Sequence, residues 1–177
     1  GSASPPAMRL SPPAWPRVLP TRLVINCATL GPLGQRLPAP GTWGSAAGLL
    51  YFALFFQRAG IGAILVGAAV AAYLAVGLCG EAEVRMGKTD PGSIVLDEVI
   101  AIPLCFLGWR TLLGAAPPWA LLLAGFALFR LFDIVKPFGI KRLQALPGGW
   151  GVVADDLAAA LAACATLHVG VWLWGFW

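Results

Sequence analysis

Five carboxylates stand at the edges of apolar runs in this chain: Asp97 and Glu98 in "GSIVLDEVIA", Asp133 in "FRLFDIVK", and Asp155 with Asp156 in "GVVADDLAA". If those edges meet, the acids cannot all stay ionised without help. Two carboxylates about 4 Å apart repel by about 4 kcal/mol at an effective dielectric of 20. A charge at the bilayer centre costs about 2.5 to 3.5 kcal/mol on insertion scales, and less at a helix end. Converging acids therefore take up protons, splay apart or share a cation. Their ligands are hard oxygens. His168 is the single histidine, and Cys27, Cys79, Cys105 and Cys164 are scattered through apolar sequence, where packing is their expected role. This inventory points to Mg²⁺ and not to Zn²⁺. Arg130 is either the i, i+3 partner of Asp133 or a phosphate ligand. Thr42 and Ser45 in "PGTWGS" either cap a helix or contribute to an anion site at its N-terminus.

The elements that must carry these acids are membrane helices. The chain of 177 residues is 59% hydrophobic and 11% charged, with a mean hydropathy of +0.80. A soluble domain carries about 25% charged residues. The expected fold is an all-α, polytopic integral membrane helical bundle with about five apolar runs, at 45–57, 61–80, 94–113, 118–135 and 154–175. The first run falls short of the ~17 residues a span needs, so it is tilted, extended by its flanks or re-entrant. The stretch before it, "GPLGQRLPAPGTWGS", is too rich in proline and glycine for a helix interior and reads as a loop. Residues 1–7 read as a non-native, disordered start, and 8–177 as one domain. "SPPAWPRVLP" holds too much proline for a signal-peptide core, so no cleavable targeting segment is expected.

Five spans would put ten of the twelve basic residues on one face, with Arg58 and Arg110 opposite, which makes that face cytoplasmic. All eight acidic residues, Glu81, Glu83 and Asp90 among them, fall on the same face. Acids do not set topology, so their segregation needs a cause of its own. Asp97 is followed four residues later by Ala101, and Asp156 by Ala160. Small residues on the same helix face permit close approach, so both acids are expected to face the bundle interior.

Four blocks in order, "PAPGTWGS" (38–45), "DPGSIVLDE" (90–98), "FALFRLFDIVKPFGI" (126–140) and "GGWGVVADD" (148–156), make the chain resemble the bacterial phosphatidylglycerophosphatase A family over roughly residues 20–165. The resemblance implies a Mg²⁺-dependent membrane phosphatase that converts phosphatidylglycerophosphate to phosphatidylglycerol and inorganic phosphate during phospholipid biosynthesis. It implies that residues 8–177 form a single transmembrane lipid-phosphatase domain, multi-pass in the bacterial inner membrane, with its active site facing the cytoplasm. Its partners would be the lipid substrate and the bilayer, with no nucleic acid, and the oligomeric state stays open. On this reading Asp97, Asp133 and Asp156 hold Mg²⁺. Glu98 and Asp155 orient or deprotonate the attacking water. Gly41, Thr42, Ser45, Arg130 and Lys136 hold phosphate. A carboxylate nucleophile, Asp97 included, is the mechanistic alternative.

Other designs fit less well. "CFLGWR" has four residues between Cys105 and Arg110, one fewer than the cysteine-phosphatase loop, and one histidine is too few for phosphohistidine chemistry. The rival from another class is a small membrane ion or proton carrier using intramembrane carboxylates. A transport path needs polar groups toward both faces, and opposite the acids only Arg58 and Arg110 appear.

Overall fold

The computed structural model describes residues 10–175. The non-native start expected at 1–7 lies outside them, as does Arg9. The described residues form helices and connecting turns, with no strand among them. Eight α-helices follow in order: α1 (Thr21–Thr29), α2 (Pro32–Arg36), α3 (Pro40–Phe55), α4 (Ile61–Met86), α5 (Leu96–Ala101), α6 (Trp109–Leu113), α7 (Pro118–Val135) and α8 (Gly149–Trp174). Short 3₁₀ turns lie at Trp15–Val18, Ile102–Phe106 and Ile140–Ala145.

Three of the five apolar runs become helices long and apolar enough to cross a membrane, α4, α7 and α8. Their ends follow local chemistry. Gly87 in the left-handed conformation closes α4, Pro118 opens α7 at a position where its missing N–H costs nothing, and left-handed Lys136 before Pro137 ends α7. The run 45–57 falls almost wholly within α3, extended by its N-terminal flank, whereas the run 94–113 differs from expectation. The run 94–113 is not one helix: α5 gives way to a 3₁₀ turn containing Pro103, and Gly108 at φ +73° starts α6. Proline removes a helix N–H and its ring clashes with the preceding turn, so the break is built into the sequence. The carbonyl of Leu107, freed by the break, lies 2.7 Å from His168 Nε2. The only histidine thus satisfies a broken backbone, far along α8 from the acids.

The stretch expected as a loop also differs. Pro32–Arg36 is a short helix, and Pro40–Ser45 forms the opening turns of α3, with Pro40 in the first turn. Neither Thr42 nor Ser45 caps that helix, since Ala39 takes the cap position without a side-chain bond. The sixteen residues of α3 remain below the length of a full span.

Packing brings the charged ends together. α8 is central, and packs against α4, α7, α5 and the Ile102–Phe106 turn. Near the start of α8, Gly149 lies against the backbone of α4 at Val76 and Gly80, where a side chain would overlap the Val76 carbonyl. Toward the other end, Phe52, Phe106 and Trp109 form an aromatic cluster, with ring centroids 4.7 to 5.5 Å apart. The N-terminal arm is clamped to the end of α4 by Arg85, which donates to the carbonyls of Leu19 at 2.7 Å and Pro16 at 3.2 Å. α1 is tied in turn to the start of α5 through the Val95 N–H and the Ala28 carbonyl, 3.0 Å apart. The arm, the 87–95 loop and the 136–148 loop therefore share one end of the bundle.

Ala101 and Ala160 are both completely buried, as their spacing from Asp97 and Asp156 predicts. On α7, Ala124 packs against the core, while Ala127 is exposed. Ala101→Leu and Ala160→Leu are expected to destabilise the protein by about 1 to 3 kcal/mol through overpacking. Ala127→Leu should leave the melting temperature in detergent unchanged. Equal melting of all three variants would remove the close-approach argument.

Candidate active site

The acids converge through three helix ends. α5 delivers Asp97 and Glu98 in its first turn, α7 delivers Asp133 near its last, and α8 delivers Asp155 and Asp156 about 9 to 10 Å from its start at 1.5 Å per residue. Together with Lys136, Asp90, Gly92, Ile94 and Val152 they line a cavity of about 220 Å³. Asp97, Glu98, Asp155 and Asp156 are buried, and Asp133 is half-buried.

Within this cluster charges alternate. Ser45 Oγ lies 3.0 Å from Glu98 Oε2, and Glu98 Oε1 pairs with the Arg130 guanidinium at 3.2 Å. Arg130 also reaches Asp133 Oδ2 at 2.8 Å, while Asp133 Oδ1 pairs with Lys136 Nζ at 3.2 Å. Lys136 then donates to Asp155 Oδ2, and Asp155 Oδ1 accepts the backbone N–H of Asp156 at 3.1 Å. Three carboxylates are thus threaded on two cations. Burial alone would lower the pKa of Lys136, but its hydrogen bond to Asp155 and the charges of Asp133 and Asp155 outweigh that and hold it above the ordinary lysine value. Lys136 therefore remains a cation.

Asp97 and Asp156 are left out of this alternation, as is the exposed Asp90. Asp97 Oδ1 and Asp156 Oδ2 are buried oxygens without a hydrogen-bond partner, and both residues line the same cavity. Buried acceptors without partners are costly, and here they belong to groups that bind hard cations. Among the described residues no three acid, histidine or cysteine side chains already close around one point as a metal cage. Mg²⁺ does not require one, because it commonly uses one or two carboxylates and completes its shell with water and substrate phosphate. The donor set fits Mg²⁺ in that way.

The sequence pattern of the family described as phosphatidylglycerophosphatase A matches residues 26–171, which include every residue of the cavity. The chain belongs to that family. Among its relatives, a phosphatidylglycerophosphatase A of Haemophilus influenzae is 41% identical over 129 residues, covering 71% of this chain and 75% of the relative. A protein of Bacteroides thetaiotaomicron provisionally named a phosphatidylinositol-3-phosphatase is 32% identical over 144 residues, 77% of this chain and 86% of its own. The phosphatidylglycerophosphatase A of Escherichia coli is 32% identical over 135 residues, covering 73% and 72%. No solved structure is significantly similar to the chain. As a phosphatidylglycerophosphatase A family member, the protein is a phosphatase.

Within this family member, the ten residues singled out from sequence fall into distinct positions. Asp97, Glu98, Asp133, Lys136, Asp155 and Asp156 line the cavity, and Arg130 joins them through Glu98 and Asp133. Ser45 is fully buried behind Glu98, and Thr42 is exposed and outside the cavity lining. Gly41 lies beneath the Glu98–Arg130 pair. A Cβ there would sit 2.6 Å from Glu98 Oε1 and 2.9 Å from both terminal guanidinium nitrogens. Sequence reading passed over the two glycines that continue this contact. A Cβ on Gly44 would sit 2.8 Å from Val95 Cβ, and one on Gly48 2.5 Å from Ile102 Cγ1. The spacing Gly41, Gly44, Gly48 is the signal, one helix face stripped of side chains so that α5 can lie against it.

Proposed function

We propose that the protein removes the terminal phosphate of phosphatidylglycerophosphate, giving phosphatidylglycerol and inorganic phosphate, in a reaction that depends on Mg²⁺. The observation that carries the reading is the pair of unpartnered buried oxygens, Asp97 Oδ1 and Asp156 Oδ2, in a cavity where Glu98, Asp133 and Asp155 are already matched by Arg130 and Lys136. The names of the Haemophilus and Escherichia relatives supply the substrate.

Asp97 and Asp156 are the metal ligands in this reading. Bound there, Mg²⁺ would neutralise phosphoryl oxygens and let a phosphate dianion approach so many carboxylates. Arg130 and Lys136 bind the phosphate. As they turn toward it, they loosen their hold on Asp133, which is the third candidate ligand, and on Asp155. Glu98 and Asp155 orient the attacking water and take its proton, and the departing glycerol oxygen is protonated as the phosphorus–oxygen bond breaks. Gly41 brings the α3 backbone beside this group, and Ser45 holds Glu98 in place. The basic residues at the acid-bearing end make that end cytoplasmic, in the inner membrane of a bacterium, with the acyl chains left in the bilayer. Lys88, Lys141 and Arg142, all exposed at that end, suit the anionic surface.

The test is phosphate release by the detergent-solubilised full chain from phosphatidylglycerophosphate, with phosphatidylinositol 3-phosphate as the comparison. Release with Mg²⁺ that stops in excess EDTA is the expected result. Full activity in EDTA would overturn the metal role, and preferential cleavage of the inositol lipid would overturn the substrate. No observation supports the carrier alternative, since the acids meet at one end of the bundle.

A further inference from the structure

The acid cavity has a neighbour. A second cavity, also of about 220 Å³, lies against the first across Asp90 and Val152, which line both. Its remaining walls come from Glu83 at the end of α4, Thr89, and the Gln144–Gly148 segment before α8. Glu83 is nine-tenths buried. Its Oε1 accepts the backbone N–H of Asp90, and the residue lines the cavity. Gly151 lets the Gln144–Leu146 backbone lie close to α8, because a Cβ there would sit 2.7 Å from the Leu146 carbonyl oxygen and 2.9 Å from that of Gln144. The lining residues include two carboxylates, Glu83 and Asp90, a hydroxyl and an amide, and no lysine or arginine. Such a wall does not suit a second phosphate. It suits a neutral group that donates hydrogen bonds, a few bonds away from a phosphate held next door.

We propose that this second cavity takes the free hydroxyl of the glycerol that carries the terminal phosphate, with Glu83 and Gln144 as its hydrogen-bonding partners. This rests on the phosphatase reading above and adds the feature by which the headgroup is chosen. Phosphate binding alone would accept any exposed lipid phosphate. A site built to bond a substrate hydroxyl discriminates against an analogue without it, because the buried acceptor then loses its partner.

The experiment compares phosphatidylglycerophosphate with the analogue in which propane-1,3-diol replaces the headgroup glycerol, so that only the free hydroxyl is missing. Wild-type kcat/KM should favour the glycerol lipid by roughly tenfold or more. Glu83→Gln, which keeps an acceptor for the Asp90 N–H, and Gln144→Leu, at an exposed position, should each erase most of that preference. They should do so by slowing the glycerol lipid far more than the analogue. Equal wild-type rates on the two lipids, or variants that slow both equally, would overturn the proposal. Cleavage of neither lipid by the wild type would instead overturn the phosphatase reading, and the hydroxyl site with it.

Discussion

Asp97→Asn and Asp156→Asn are each expected to lower phosphate release by about 10²-fold or more, and to do so by weakening the response to Mg²⁺. Loss of a group that merely orients a metal ligand typically costs 10- to 100-fold, and these residues carry the unpartnered oxygens themselves. Raising Mg²⁺ should recover part of the rate. Glu98→Gln should behave differently. Glu98 is bonded to Ser45 and Arg130, so its loss should reduce kcat by the ~10²- to 10⁴-fold of a missing general base while leaving the Mg²⁺ dependence as it was. Thermal melting separates this outcome from misfolding. Mg²⁺ should raise the melting temperature of the wild type by mass action, and it should fail to do so in the two asparagine variants. Their metal-free melting temperature should not fall, because removing one of several like charges relieves repulsion. Wild-type activity in both variants would eliminate the metal site.

The parts of this site that sequence could reveal are those set by local periodicity. Asp97 with Ala101 and Asp156 with Ala160 lie one helical turn apart, so a burial argument from one residue extends to the other, and all four are buried. The gathering of acids at one end followed from where apolar runs stop. Tertiary proximity was a different matter. Nothing in "FRLFDIVK" tells whether Arg130 serves Asp133 alone or also Glu98, since that depends on α7 lying beside α3 and α5. The break at Pro103 and Gly108 is written in the sequence, but hydropathy alone, which treats the run as one apolar stretch, does not show it. The start of α3 was missed for the opposite reason. Proline and glycine in "PAPGTWGS" signal a loop when read one by one, yet Pro40 is well placed in a first helical turn and the glycines mark a packing face.

That packing face sets the last expectation: Gly41→Ala should cost about 10²-fold in kcat in a protein that stays folded. The atoms nearest the added methyl would be the ends of two flexible side chains, Glu98 and Arg130. Both can turn aside, so the helices need not separate. What moves is the chemistry, because Glu98 and Arg130 would leave the positions from which they serve water and phosphate, and misplacement by about 1 Å can cost 10²-fold. Gly149→Ala makes the necessary comparison. There the new methyl would overlap the backbone of α4 at Val76, which cannot turn aside without parting α4 from α8. Its expected signature is a lowered melting temperature, with activity lost through unfolding. If Gly41→Ala also melts early, Gly41 is a packing residue like Gly149. If it is both stable and fully active, Glu98 and Arg130 do not act from where α3 holds them, and the assignment of water and phosphate to that pair fails.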